Sequence, residues 1–148
     1  MDELQQRRIA AVLEAAKDMT VATLRPDGWP QATTVSFVSE GVDIFFGCDE
    51  RSQKAQNLAR DDRVSVTVNL PYDDWEEIRG LSLGGRATRL VDDEDLARVG
   101  ALMSAKFPQV SQYVSEGREN LTVFRITPVA VTLLDYRQGF GATEHITA

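Results

Sequence analysis

Two cations and a hydroxyl, Arg51, Ser52 and Lys54, stand within four consecutive residues. They follow a run of strand-forming residues, Val42–Gly47, and a short loop, Cys48–Arg51. They precede a stretch through Leu58 that reads as a helix. Ser52 suits the N-cap, because its hydroxyl can accept one of the N–H groups that a helix leaves open at its start. Cations at that end oppose the helix dipole, which favours anions by about 0.3–1 kcal/mol. Two of them make physical sense if an anion lies between them and the open N–H groups, the arrangement that holds phosphate at helix starts. The alternative is a pair of ordinary solvated charges on an exposed helix, and spacing alone leaves both open.

The elements that would position these residues can be read in order. A helix is expected over Glu3–Lys17, with Ile9, Val12, Leu13 and Ala16 on one face. Met19–Arg25 is a strand, and Pro26-Asp27-Gly28 a turn. A further strand, Gln31–Ser39, turns at Glu40-Gly41 into Val42–Gly47. One of its faces carries Thr33, Val35 and Phe37, the other Ala32, Thr34, Ser36 and Val38. A strand with so weakly apolar a face is expected to meet something other than the core. Arg63–Asn69 alternates as a half-buried strand does. In the loop Leu70–Glu77, Tyr72 and Trp75 either anchor an interface or fold back on the domain. Ile78–Val91 is a strand whose Gly80, Gly84 and Gly85 mark bulges or close backbone approach.

Asp92-Asp93-Glu94-Asp95 reads as a helix start, not a metal site, since adjacent acids on a helix point in different directions. Leu96, Val99, Leu102 and Met103 give that helix its buried face, Phe107-Pro108 ends it, and a second helix is expected over Pro108–Glu116, stopped by Gly117. Leu121–Thr127 and Val129–Leu134 are expected as two strands split by Pro128, followed by a polar tail from Tyr136.

Composition removes several classes. The chain has 148 residues, enough for one domain with a real core. A net charge of -7 argues against non-specific nucleic-acid binding. A single cysteine, Cys48, rules out an intramolecular disulfide and fits a reducing compartment. No apolar run is long enough to span a membrane and the N-terminus has no signal-like core, so a cytoplasmic protein is expected. His145 is the sole histidine, so no Ser-His-Asp set, Cys/His zinc cluster or other metal site is expected, and no catalytic side chain is assigned.

The hairpin, the Arg51-Ser52-Gln53-Lys54 segment, the Asn57-Leu58-Ala59-Arg60-Asp61-Asp62-Arg63-Val64 run and Gly85-Arg86-Ala87 fall together in an order that resembles the pyridoxamine 5'-phosphate oxidase-like flavin barrels, over about Met19 to Tyr136. The resemblance implies one α+β domain over residues 1–148, an antiparallel Greek-key split β-barrel of six to seven strands with peripheral helices. It also implies a homodimer holding non-covalent FMN in a groove between subunits, and a small-molecule substrate or reductant exchanging a hydride at flavin N5. By position, the backbone of Thr33, Thr34, Val35, Ser36, Phe37 and Val38 would meet the ribityl chain and ring, while Ser52, Lys54 and then Arg51 would hold the phosphate. Trp75 is a further cofactor-binding candidate. The Gly-Phe-Gly tail resembles those of the stress-protein and haem-utilisation branches, which makes Arg137 and Phe140 candidates there. The chain departs from the oxidases where they have Ser-Arg-Lys, and in lacking an arginine at Thr33, a lysine at Val38 and a flavin-contacting glutamine near Gly80. Pyridoxamine phosphate oxidation itself is therefore not expected. A deazaflavin-dependent reductase is one alternative. A non-enzymatic flavin or haem sensor or storage protein, with His145 as haem ligand, is the other.

Overall fold

A computed structural model of the chain describes residues 1–114 and 120–148. The first helix, α1 (Glu3–Ala15), starts at Asp2, whose carboxylate accepts from the Gln5 amide while the Gln5 side chain accepts from the Asp2 amide. This reciprocal capping box fixes where the helix begins. Then come β1 (Asp18–Leu24), β2 (Pro30–Ser36), β3 (Val38–Glu40), β4 (Asp43–Asp49), α2 (Gln53–Arg60), β5 (Arg63–Asn69) and β6 (Arg79–Arg89). Two helices, α3 (Asp93–Lys106) and α4 (Val110–Val114), precede the long β7 (Leu121–Asp135) and the short β8 (Thr143–Thr147). The end expected for the second of these helices, at Glu116 and Gly117, lies outside the described residues.

All pairings are antiparallel, in the order β2-β1-β5-β6-β7-β4-β3, with β8 added on β7. The sheet curls into a half-barrel, and the fold is the α+β split barrel expected from the sequence. Inward-facing Val21, Ile44, Phe46, Val66, Leu81, Ile126 and Leu133 fill it. The apolar face of α1, with Ile9 and Leu13 fully buried, packs into the same core.

Three expectations need correction. Gln31–Ser39 is not one strand. It breaks at Phe37, which is fully buried, so that β2 pairs with β1 and β3 with β4. One bent segment thus joins the two ends of the sheet order. Pro128 does not split the last strand. Proline lacks the N–H a ladder needs, yet here it sits at a bulge where the β6–β7 register shifts between Gly84 and Gly85, and at the gap between the β4-paired and β8-paired parts of β7. The polar tail from Tyr136 contains a strand that was not expected, because Thr143–Thr147 forms β8 against Ala130–Leu134.

Half-buried Lys106 ties three elements together. Its ammonium donates to the Leu13 carbonyl at 3.4 Å and stands 4.2 Å from the centre of the Phe37 ring. Burial pushes its pKa down, with Asp18 and Glu14 pulling the other way.

The strand glycines do different jobs. A Cβ on Gly80 would stand 2.4 Å from the Val68 carbonyl oxygen, and one on Gly85 2.7 Å from that of Thr127, whereas one on Gly84 meets nothing within 4 Å. Gly80 is therefore a close approach of β5 to β6, and the space a missing side chain would have left is filled by backbone. Gly80→Ala and Gly85→Ala are each expected to cost about 1–3 kcal/mol through forced backbone shifts, while Gly84→Ala stays within about 0.5 kcal/mol. Urea denaturation of the three variants measures the contrast.

Candidate functional site

The start of α2 is built as the sequence suggested. The Ser52 hydroxyl accepts from the Ala55 amide at 3.2 Å, and the Gln56 amide is taken by the Ser52 carbonyl at 3.1 Å. The amides of Gln53 and Lys54, the first two residues of the helix, have no partner within a helix. No acid stands in the first turn. Lys54 is half-buried and forms no ion pair among the described residues. Two open amides, a hydroxyl and an unpaired ammonium are thus gathered at the positive end of one helix dipole.

Arg51 is placed differently. Its guanidinium donates twice to Asp49, at 3.1 and 2.9 Å, and its backbone amide donates to the same carboxylate at 2.8 Å. The paired guanidinium holds the Asp49 carboxyl down at about 2. Arg51 is neutralised in place, which leaves Lys54 as the cation free to meet an anion.

Cys48 lies beside this start. Burial pushes its thiol up, against the pull of the Ser52 hydroxyl and the Lys54 ammonium. It pairs across the strands with Thr122, whose hydroxyl is buried without a partner. A second buried hydroxyl without a partner among the described residues belongs to Thr33. Orphaned buried polar atoms are uncommon, and both fall on strands that the candidate site involves.

A polar network absent from the sequence reading anchors α2. The Asn57 side chain, 1% exposed, donates to the Thr23 hydroxyl at 3.0 Å and to the Gln31 side chain at 3.2 Å, and accepts from the Gln53 side chain at 2.8 Å. It joins the helix to β1 and β2, and so fixes Lys54 one turn away. The available signal was an asparagine in a helix interior, where its side chain competes with the backbone unless it has another partner.

β2 lies at the end of the sheet order, so its outer edge has no partner strand among the described residues. Ala32, Thr34 and Ser36 are exposed, and Thr33 and Val35 are half-buried toward the core. The Phe37 side chain is fully buried in the core.

Trp75, Arg137 and Phe140 gather elsewhere. Trp75 stacks on Phe140 with ring centroids 6.0 Å apart, and Tyr136 meets Phe140 edge-on at 5.4 Å. Trp75 and Phe140 stay 66% and 71% exposed, so this pair from two distant segments forms an open aromatic platform. Arg137 donates twice to Asp135, at 2.8 Å each. Asp49 pairs with Leu121 at the start of β7, while Arg137 follows its end. About 45 Å of strand contour separates the two groups. His145 sits exposed on β8, its Nδ1 2.9 Å from the Thr132 hydroxyl. No cluster of metal-ligating residues occurs among the described residues, and no described helix is long and apolar enough to cross a membrane.

The family model for pyridoxamine 5'-phosphate oxidase matches residues 6–135. No curated protein matches the chain. Among solved structures, the conserved hypothetical protein Rv2991 of Mycobacterium tuberculosis is 27% identical, with a TM-score of 0.79 over 100% of this chain and 92% of that one. A heme binding protein from Mycobacterium smegmatis superposes with a TM-score of 0.79 at 23% identity over 99% of this chain, which spans 58% of that longer protein. An F420 reductase superposes with a TM-score of 0.68 at 23% identity over 82% of this chain and 93% of that one. The chain belongs to the pyridoxamine 5'-phosphate oxidase family.

Proposed function

We propose that this protein is a cytoplasmic, homodimeric oxidoreductase that binds FMN non-covalently between its subunits. The observation that carries the reading is the start of α2, where the open Gln53 and Lys54 amides, the Ser52 hydroxyl and the unpaired Lys54 ammonium suit a phosphate ester. The partnerless Thr33 hydroxyl, on a strand with an open outer edge, supports placing the rest of the cofactor along β2. Thr33, Thr34, Val35 and Ser36 would offer it backbone groups, and so would Phe37. The exposed Trp75–Phe140 platform and Arg137 would reach the cofactor of a second subunit, since they gather beyond the end of β7, whereas the strand leading into Lys54 pairs with its start.

Bound flavin supplies hydride exchange at N5 with a small-molecule substrate or reductant. The chain's own part is to hold the phosphate by Lys54 and the helix start, orient the ring along β2, and keep Lys54 in place through Asn57. No side chain is required to carry a proton.

Haem is a second reading, supported by His145. With its Nδ1 engaged by Thr132, the ring of exposed His145 is held in one orientation and Nε2 has no hydrogen bond among the described residues, the kind of support that orients a histidine ligand. The structural likeness to an F420 reductase makes a deazaflavin a third candidate for the same phosphate cradle.

Titrating the purified protein with FMN, by absorption and fluorescence quenching, tests the leading reading. Lys54→Ala is expected to weaken binding about 10- to 100-fold, the value of one charge-assisted hydrogen bond. Arg51→Ala should change it less than about threefold, because that guanidinium is already spent on Asp49. Absence of FMN binding would remove the reading. Tight deazaflavin binding in its place would support the reductase, and a Soret band lost in His145→Ala would support haem.

A further inference from the structure

Away from α2, a cleft of about 180 Å³ opens between α1 and the far ends of β6 and β7. Arg7, Arg8, Arg79 and Arg137 line it, against the single carboxylate of Asp135. Its floor is apolar: Val12 and Leu133 are each 4% exposed, and Leu134 lies beside them. A second, wider hollow continues it past Leu4, sharing Arg8, Leu133 and Asp135. In a chain of net charge -7 this is an unusual place to gather arginines.

Three of the four are engaged. Arg7 pairs with Glu3, Arg8 with Glu144, and Arg137 with Asp135 through two hydrogen bonds. Arg79 is not. Among the described residues it is the arginine whose guanidinium has neither an ion pair nor a hydrogen bond. It is half-buried. Asp135 is near enough to feel its charge, yet both carboxylate oxygens are already taken by Arg137. A half-covered guanidinium without an acceptor is a group that binding could satisfy. Guanidinium also matches a carboxylate in a planar, two-bond fashion.

We propose that this cleft binds a small amphipathic carboxylate, with its head group on Arg79 and its apolar body on Val12, Leu133 and Leu134. The volume suits this class. It holds about six waters at liquid density, enough for the head and first carbons, and the remainder of a short chain would run along Leu4, Leu133 and Ala142 in the adjoining hollow, whose other walls are the polar Gln138, Thr143 and Glu144. A bare inorganic anion would use the rim and leave the apolar floor wet.

Octanoate titrated into the full chain by calorimetry is the test, with octanol and inorganic phosphate at the same ionic strength as comparisons. Octanoate is expected to bind one per chain, at least tenfold more tightly than either comparison. Arg79→Gln should lose that tenfold advantage, and Arg89→Gln, outside the cleft, should keep it. Ala11→Phe, which fills the cleft from the exposed side of α1, should abolish octanoate binding and decides the matter if Arg79→Gln fails to fold. Octanoate binding no tighter than octanol, phosphate binding as tightly as octanoate, or octanoate binding unchanged in Ala11→Phe would each overturn the proposal.

Discussion

The long strand β7 must serve three partners, and the rest of the molecule follows from how it does so. Along one edge it pairs with β6 from Phe124 to Asp135, interrupted by one bulge, while its other edge is divided between β4 at the start and β8 at the end. A flat strand could not reach both without opening the core. The bulge at Gly85 and Pro128 supplies the bend, because a residue with a Cβ at Gly85 would run into the Thr127 carbonyl. Pro128 falls where β4 has ended and β8 has not begun, so its missing N–H leaves no ladder bond unmade there. The opening of the barrel and the tolerance for proline are one geometric fact.

That strand also sets the distance between the two groups of candidate ligands. Ser52 and Lys54 follow β4, which is tied to the start of β7. Trp75, Tyr136, Phe140 and Arg137 cluster at its end. The strands that lead into the two groups are thus tied to opposite ends of β7. On the proposed reading the two groups serve one cofactor from two subunits, so the proposed homodimer and the proposed flavin site stand or fall together.

Locally encoded features were legible in the sequence. Ser52 as a cap, Asp92 as a cap and the alternation of Arg63–Asn69 need only neighbours within a few residues. The barrel itself was legible through the ordered resemblance. What escaped was set by partners distant in sequence. Asn57 reads as an ordinary helix residue until Thr23 and Gln31 arrive from 34 and 26 residues away. Thr143–Thr147 reads as a polar tail because only Ile146 is buried, and its ladder depends on the half of β7 that β4 leaves free. Trp75 and Phe140 were each singled out, but their stacking could not be read from either segment.

One local device, readable from spacing alone, changes which cations matter. Asp49-Glu50-Arg51, Asp61-Asp62-Arg63 and Asp135-Tyr136-Arg137 share a spacing, and in each the aspartate accepts both the backbone amide and the guanidinium of the arginine two residues on. Each stands at the edge of a strand, where the aspartate satisfies an amide that the ladder or a turn leaves open. A cation locked this way is held in shape and largely neutralised, so arginine content overstates how much positive charge this surface can offer an anion. Among the described residues, two cations outside that arrangement and without an ion pair stand at the candidate sites, Lys54 at the start of α2 and Arg79 in the cleft under α1. If each holds an anion, the two sites differ in kind. Lys54 is backed by helix amides that suit a phosphate, whereas Arg79 is backed by aliphatic side chains that suit a carboxylate with an apolar body.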